Sequence, residues 1–211
     1  VMGDPLHSKP LAINFGSKSS PDLRVLVGTN AGFLHMFKDA GDSVTESWAF
    51  MPYELLPNIR PLRANVPSGV HSVYGLDSSP VAHVKTGASG IEKAWLFMGM
   101  RRGGKSYYAL DITNPDSPKF LWKKSADDLG MSEMGQTWSE PVVTYIPNWP
   151  VGSTNKDNAS SPKIWDQCKA LLLSLTSLST TNEIHQKSLS YIRKLQQTGT
   201  LSAHLSGIPF S

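Results

Sequence analysis

A proline-led segment recurs three times in the first 150 residues of this chain. Ser8-Lys9-Pro10-Leu11-Ala12-Ile13 returns as Ser79-Pro80-Val81-Ala82-His83-Val84 and again as Ser139-Glu140-Pro141-Val142-Val143-Thr144. After the first two copies comes an apolar run, Arg24-Val25-Leu26-Val27-Gly28 or Ala94-Trp95-Leu96-Phe97-Met98-Gly99. A turn follows, then an aromatic run, Phe33-Leu34-His35-Met36-Phe37 or Tyr107-Tyr108-Ala109-Leu110. A second turn and a run bearing Trp48 or Trp122 close each unit. Short β-branched and aromatic runs bounded by Gly, Asn, Asp and Pro spell antiparallel strands, four to a unit. Proline is tolerated at the start of a first strand because that position need not donate to the ladder.

A four-stranded unit cannot cover both of its own faces, so such units stack, as blades do in a β-propeller. The repeat supplies two blades and the first strand of a third, where a typical propeller has about 4–8 blades. The fold class read from the sequence is therefore all-β: an incomplete β-propeller of quinoprotein-like four-stranded blades. First strands are expected at 10–15, 80–84 and 141–146, with hairpins pairing 25–29 with 33–37 and 94–100 with 106–112. Pro10, Pro80 and Pro141 lie 70 and 61 residues apart, long for one blade. The excess in the first unit falls between Pro52 and Tyr74, where Pro52-Tyr53-Glu54-Leu55-Leu56 predicts a single helical turn.

The repeat stops near Pro150, which divides the chain into a partial propeller, 1–150, and an atypical tail, 151–211. Of 20 Lys and Arg and 17 Asp and Glu, the body holds 14 of each, so the net charge of +3 belongs to the tail. A neutral body offers no electrostatic footprint for nucleic acid. The tail has 11 Ser and 6 Thr and the only cysteine, Cys168, so neither an intrachain disulfide nor a cysteine-based zinc site can form. Thr180 and Glu183 have capping-box spacing ahead of Ile184, Leu189, Ile192 and Leu195, which predicts a helix near 183–197; Leu171-Leu172-Leu173 is a second candidate start. Two readings of the tail stay open: a separate small helical module, or a rearranged continuation that replaces later blades. No apolar run approaches the roughly 20 residues of a membrane-spanning helix.

Several words of the body are more specific than a generic blade. Gly3-Asp4-Pro5-Leu6-His7-Ser8-Lys9-Pro10, Val27-Gly28-Thr29-Asn30-Ala31-Gly32 and Trp48-Ala49-Phe50-Met51-Pro52 run in one order. Tyr74-Gly75-Leu76-Asp77-Ser78-Ser79-Pro80, Arg101-Arg102-Gly103-Gly104-Lys105-Ser106-Tyr107-Tyr108 and Gln136-Thr137-Trp138-Ser139-Glu140-Pro141 follow. Over about residues 1–150 this series resembles the C-terminal β-propeller of the PilY/PilC family of type IV pilus tip-associated adhesion and assembly proteins. The resemblance implies a propeller related in fold to quinoprotein dehydrogenases and a place at the pilus tip, cell surface or outer membrane after export. It implies partners among pilus subunits or minor pilins, or a host surface receptor. It also implies a calcium loop, but no stretch here carries Asp or Asn oxygens at the spacing of an EF-hand-like loop, so no cofactor is expected in this chain.

The candidate chemistry is thin. His7, Ser8 and Asp4 share one short segment, whereas a triad needs a base oriented by a buried acid across folded space; anchoring of a blade start is expected instead. Asp77, beside Ser78 and Ser79, reads as a turn residue. His35 and His83 sit on separate predicted strands, two imidazoles without a third ligand for zinc. Trp48, Trp95, Trp122 and Trp138 read as packing between blades. Arg101-Arg102-Gly103-Gly104-Lys105 lacks the Ser/Thr-capped helix of a phosphate loop. It reads as a solvated hairpin turn or, as the candidate partner-contact site (Arg101, Arg102, Lys105), a docking point for an acidic partner.

The expected function is a non-enzymatic structural and adhesive fragment of a pilus protein. A scaffold binding only pilus subunits is a second form of that reading, and a quinoprotein-type oxidoreductase is the alternative. With blades missing, Trp95, Phe97 and Tyr107 are candidates for exposure unless the tail covers them. Large exposed side chains each forgo about 1.5–3 kcal/mol of burial, which predicts a poorly stable or aggregation-prone chain.

Overall fold

A computed structural model describes residues 2–64, 73–129, 131–141 and 143. All but the last belong to one compact unit, Val1–Pro141. It contains two four-stranded antiparallel sheets, each in simple meander order. The first blade is β1 (Leu11–Asn14), β2 (Leu23–Gly28), β3 (Leu34–Asp39) and β4 (Val44–Phe50). The second is β5 (Val81–Gly87), β6 (Gly90–Met98), β7 (Ser106–Asp111) and β8 (Lys119–Ser125).

The strands fall where the repeat placed them, with shifts at the ends. The first hairpin pairs Leu23–Gly28 with Leu34–Asp39, and the second pairs Trp95–Met98 with Tyr108–Asp111. The helical turn after Pro52 is longer than expected: a 3-10 helix, Tyr53–Asn58, runs into a short helix α1, Ile59–Ala64. Pro141 and Val143 lie in no strand; the rest of the expected third first strand, 141–146, is outside the described residues, as are Cys168 and both helices expected in the tail.

The blades share one irregularity. In the first, the β3–β4 register shifts between Met36 and Phe37, so Trp48 pairs with Met36 while Glu46 pairs with Phe37. In the second, the β7–β8 register shifts between Ala109 and Leu110, so Trp122 pairs with Ala109 and Phe120 with Leu110. A bulge at this point adds twist and re-aims the tryptophan-bearing strand. The paired rows Leu11–Leu26–Met36–Trp48 and Val81–Phe97–Ala109–Trp122 are therefore equivalent.

The core lies between the sheets. Leu26, Leu34 and Met36 of the first blade pack with Leu96, Met98, Tyr108 and Leu110 of the second, all buried, and the Phe50 ring meets Tyr108 edge-on at 5.7 Å. Polar contacts rim this junction. The Arg24 guanidinium, 1% exposed, donates to Asp22 at 2.7 Å, to Ser47 at 2.7 Å and to Asp116 of the second blade at 2.8 Å. Trp48 Nε1 donates to the Pro115 carbonyl at 2.9 Å, and Lys123 Nζ donates to Glu54 at 2.7 Å. A buried guanidinium is tolerable only when its donors are met, and here two carboxylates and a hydroxyl meet them.

On the far side of the second blade, Trp95, Phe97 and Tyr107 are buried rather than exposed, at 4%, 2% and 2%. Part of the reason lies in the segment leading to Pro141: the Tyr107 hydroxyl donates to the Ser139 carbonyl at 2.9 Å, and Thr137 packs against Gly99 beside the Tyr107 ring. Burial pushes the Tyr107 phenol well above its ordinary pKa.

Candidate functional site

The turns between second and third strands gather at one end of the sheets with the segments that lead into each next blade. In the first blade the Thr29–Phe33 turn closes through Thr29 N–H donating to the Phe33 carbonyl at 2.8 Å, with Gly32 at φ +94°. The lead-in segment of the second blade seals it: Leu76 N–H donates to the Thr29 carbonyl at 3.0 Å, and the Asn30 amide donates to the Val73 carbonyl at 2.8 Å. Gly75 lies against Gly32 on one side and Gly103 on the other, so closely that a Cβ on it would collide with backbone.

The equivalent turn of the second blade is built differently. It is a 3-10 turn, Arg101–Gly103, rather than an open hairpin, with Arg101 at φ +50°, a value that costs a non-glycine residue strain. Thr137 clamps it from the next lead-in segment. Its Oγ1 accepts from Met100 N–H at 2.7 Å and donates to the Ser106 carbonyl at 3.0 Å, while its carbonyl accepts from Arg101 N–H at 3.0 Å.

This clamp sets two guanidinium groups among aromatic rings. Arg101 lies 5.1 Å from the Trp138 ring, and Arg102 lies 5.6 Å from Trp138 and 5.3 Å from Tyr74, whose hydroxyl accepts from it at 3.0 Å. Trp138 is pinned in turn, its Nε1 donating to Gln136 Oε1 at 3.1 Å. At 40% exposed it is not the buried packing residue the sequence suggested, because its face is taken up by cations. Among the described residues no carboxylate pairs with Arg101, Arg102 or Lys105. A guanidinium stacked on a ring is held flat while its N–H edge stays open to a carboxylate or similar oxyanion. Binding an acidic group is the chemistry this arrangement can do.

The other candidates serve the framework. Ser8 Oγ accepts from Gly28 N–H at 2.9 Å, the anchoring of a blade start expected for it, and does not meet His7. His7 Nδ1 instead meets both carboxylate oxygens of Asp77, at 2.8 and 2.9 Å, and Ser79 Oγ accepts from Lys9 N–H. Asp77 is thus no turn residue on the surface but a carboxylate only 1% exposed. Sequence reasoning missed this pair because the partners are 70 residues apart. The repeat held the signal, since His7 and Asp77 both stand three residues before a first-strand proline. His35 and His83 stay apart, His35 bonded to Glu46 at 2.8 Å and His83 stacked on Trp95. Among the described residues no group of three His, Cys, Asp or Glu side chains could hold a metal ion.

Two tryptophan-bearing blades of one pattern, meeting through a shared apolar core, define a propeller-type module. The sequence matches the PilY1 beta-propeller domain family over residues 11–199, and the chain belongs to that family. The match runs past residue 150, where the sequence reading ended the resemblance. The type IV pilus biogenesis factor PilY1 of Pseudomonas aeruginosa strain PAO1 is 30% identical over 164 residues, covering 76% of this chain and 13% of that protein. A PilY1 homolog of Xylella fastidiosa is 29% identical over 187 residues, covering 76% and 14%. The crystal structure of the P. aeruginosa PilY1 C-terminal domain is 31% identical, covers 59% of this chain and 23% of that one, and superposes with a TM-score of 0.42. The chain thus spans about a seventh of the length of these relatives.

Proposed function

We propose that this chain is a structural and binding module of a type IV pilus biogenesis factor, acting at the pilus or cell surface by contact rather than catalysis. The observation that carries the contact site is the Arg101–Arg102 pair stacked on Tyr74 and Trp138 with no acidic partner among the described residues. Its partner is an acidic segment of a pilus subunit or surface receptor. Family membership supports the setting, and the names of the relatives favour a pilus role over the oxidoreductase alternative. Among the described residues no helix is long and apolar enough to cross a membrane.

We also propose the domain division 1–150 and 151–211. The family match through residue 199 favours a rearranged continuation of the same domain over a separate helical module as the nature of the tail. The test of the contact site is binding of the purified chain to a fluorescent oligoglutamate peptide and to sheared pilus fractions. Binding that weakens with salt and is lost in Arg101→Ala/Arg102→Ala/Lys105→Ala supports the proposal; binding unchanged by the triple substitution overturns it. Quinone-dependent dye reduction on addition of pyrroloquinoline quinone would instead restore the oxidoreductase reading.

A further inference from the structure

The segment that crosses from the first blade toward the second is held on two of its sides and bare on the third. Its 3-10 helix, Tyr53–Asn58, turns about every three residues, so side chains three apart stand in one row. Glu54 turns to the second blade, where it accepts from Lys123 Nζ at 2.7 Å and lies beside Gly104. Leu55 is 2% exposed and packs beside Gly32, and in its row the Asn58 amide donates to the Tyr74 carbonyl at 3.3 Å. The remaining row is Tyr53, Leu56 and, at the start of α1, Ile59. These three are 85%, 42% and 43% exposed. Exposed apolar side chains scattered singly are ordinary, but a row of them marks a surface that something covers.

The row runs on into cations and is joined to others. Arg60 and Arg63 follow on α1, both exposed, and among the described residues no carboxylate pairs with either. The helix also reaches the Arg101–Lys105 turn at two points. Glu54 lies beside Gly104, and Asn58 bonds to Tyr74, the residue whose ring and hydroxyl hold Arg102. Glu54, the one acidic residue between Met51 and Ala64, is already spent on Lys123.

We propose that this row and the cationic turn form one docking surface for an acidic segment of a partner protein that carries large apolar side chains among its carboxylates. The carboxylates meet Arg102, Lys105, Arg60 and Arg63, and the apolar side chains cover Tyr53, Leu56 and Ile59. Charge complementarity carries the choice of partner: four cations have no carboxylate among the described residues, and the uncovered apolar row adjoins them. Size favours a peptide segment over a membrane surface. At about 2 Å per residue the row is about 12 Å long, matched by about two turns of a helix with one apolar face. The inference rests on the acidic-partner reading of the turn and adds a requirement to it, since a purely acidic segment would leave the row bare.

The test compares a fluorescent Glu/Leu peptide with a Glu/Ser peptide of equal length and charge, both titrated with the purified chain. The Glu/Leu peptide should bind at least about tenfold more tightly. That advantage should vanish in Tyr53→Ser/Leu56→Ser/Ile59→Ser, which should still bind the Glu/Ser peptide as the parent does. Arg60→Ala/Arg63→Ala should weaken both peptides, most strongly at low salt. Equal binding of the two peptides, or an advantage that survives the triple serine variant, overturns the proposal. If both peptides are nevertheless lost in Arg101→Ala/Arg102→Ala/Lys105→Ala, the acidic reading of the turn stands without it. Binding that needs the row but not those three cations overturns both readings. Sedimentation with phosphatidylglycerol vesicles that depends on the row would assign it to a lipid surface, and a dimer mass abolished by the serine substitutions would assign it to a second copy; either result overturns the proposal. The three side chains are exposed, so the substitutions remove no core contact. A melt matching the parent checks the fold, and Tyr53→Ser alone, at the most exposed position of the row, should remove part of the advantage.

Discussion

The turns Thr29–Phe33 and Met100–Ser106 occupy the same place in successive blades and are put to different use. In the first, the residue after the shared opening position is Asn30, 6% exposed, its side chain spent on the backbone at Val73 and Gly75. In the second it is Arg101, whose backbone is clamped by Thr137 while its side chain lies on Trp138. Both turns are sealed by the lead-in segment that follows, so the backbone problem is solved twice in one way. Once the backbone is sealed from outside, the turn's own side chains are free to vary. The first turn uses them to tighten the junction and the second presents them to solvent.

The largest expected effect tests the junction both turns depend on. Replacing Arg24 by Ala removes a buried side chain that bridges Asp22, Ser47 and Asp116 across the junction and should cost about 3 kcal/mol, seen as a lower melting temperature. The Arg24 hydrogen bond holds the Asp22 carboxyl below the usual carboxylate range. Its stabilising contribution is present in full above the unfolded pKa of about 4 and is lost as pH falls through the lower folded value. Stability should therefore drop below about pH 4 in the parent chain, and this component should vanish from the pH profile of the Arg24 variant.

Gly75→Ala strikes both turns at once. A methyl group there would meet the backbone of Gly32, and Gly103 presses on the other side, so neither neighbour yields like a flexible side-chain end. Overpacking of this kind costs about 1–3 kcal/mol, and a fall in the urea midpoint with unchanged slope is the expected signature. Thr137→Val is narrower. It keeps the shape but removes the acceptor for Met100 N–H and the donor to Ser106, leaving two buried backbone groups unpaired. Amide exchange at Met100 should accelerate while that of Gly28, bonded to Ser8, stays unchanged.

Much of this was legible in the sequence, and the limits are physical. Strand positions could be read because apolar alternation and turn residues are local signals. The register bulges at Met36 and Ala109 were not foreseen, since a bulge depends on how the partner strand is twisted. The cations of the second turn were visible as a word, Arg101-Arg102-Gly103-Gly104-Lys105, but their setting was not. Tyr74 is 28 residues before Arg102 and Trp138 is 36 after it, and only the two lead-in segments bring them together. Asp77 reads as a turn residue for the same reason: beside Ser78 and Ser79 it has the local signature of a turn, and the histidine folded onto it stands 70 residues away.

The smallest expected effect on stability separates the two turns most cleanly. Arg102 is exposed and its side-chain contacts are two ring faces and a phenol hydroxyl, so Arg102→Ala should change stability by no more than about 0.5 kcal/mol. Asn30→Ala, which strands the Val73 carbonyl and the Gly75 N–H, should cost about 1–3 kcal/mol. Binding of the oligoglutamate peptide should invert that order: intact in Asn30→Ala at a temperature where it is folded, and weakened in Arg102→Ala. Arg102→Lys sharpens the point, because it keeps the charge but loses the planar fork and the stacking on Tyr74 and Trp138. If charge alone mattered, the lysine variant would bind like the parent. Weakening close to that of Arg102→Ala, with melting unchanged, would show that the rings position the guanidinium for its partner, a task the first turn does not perform.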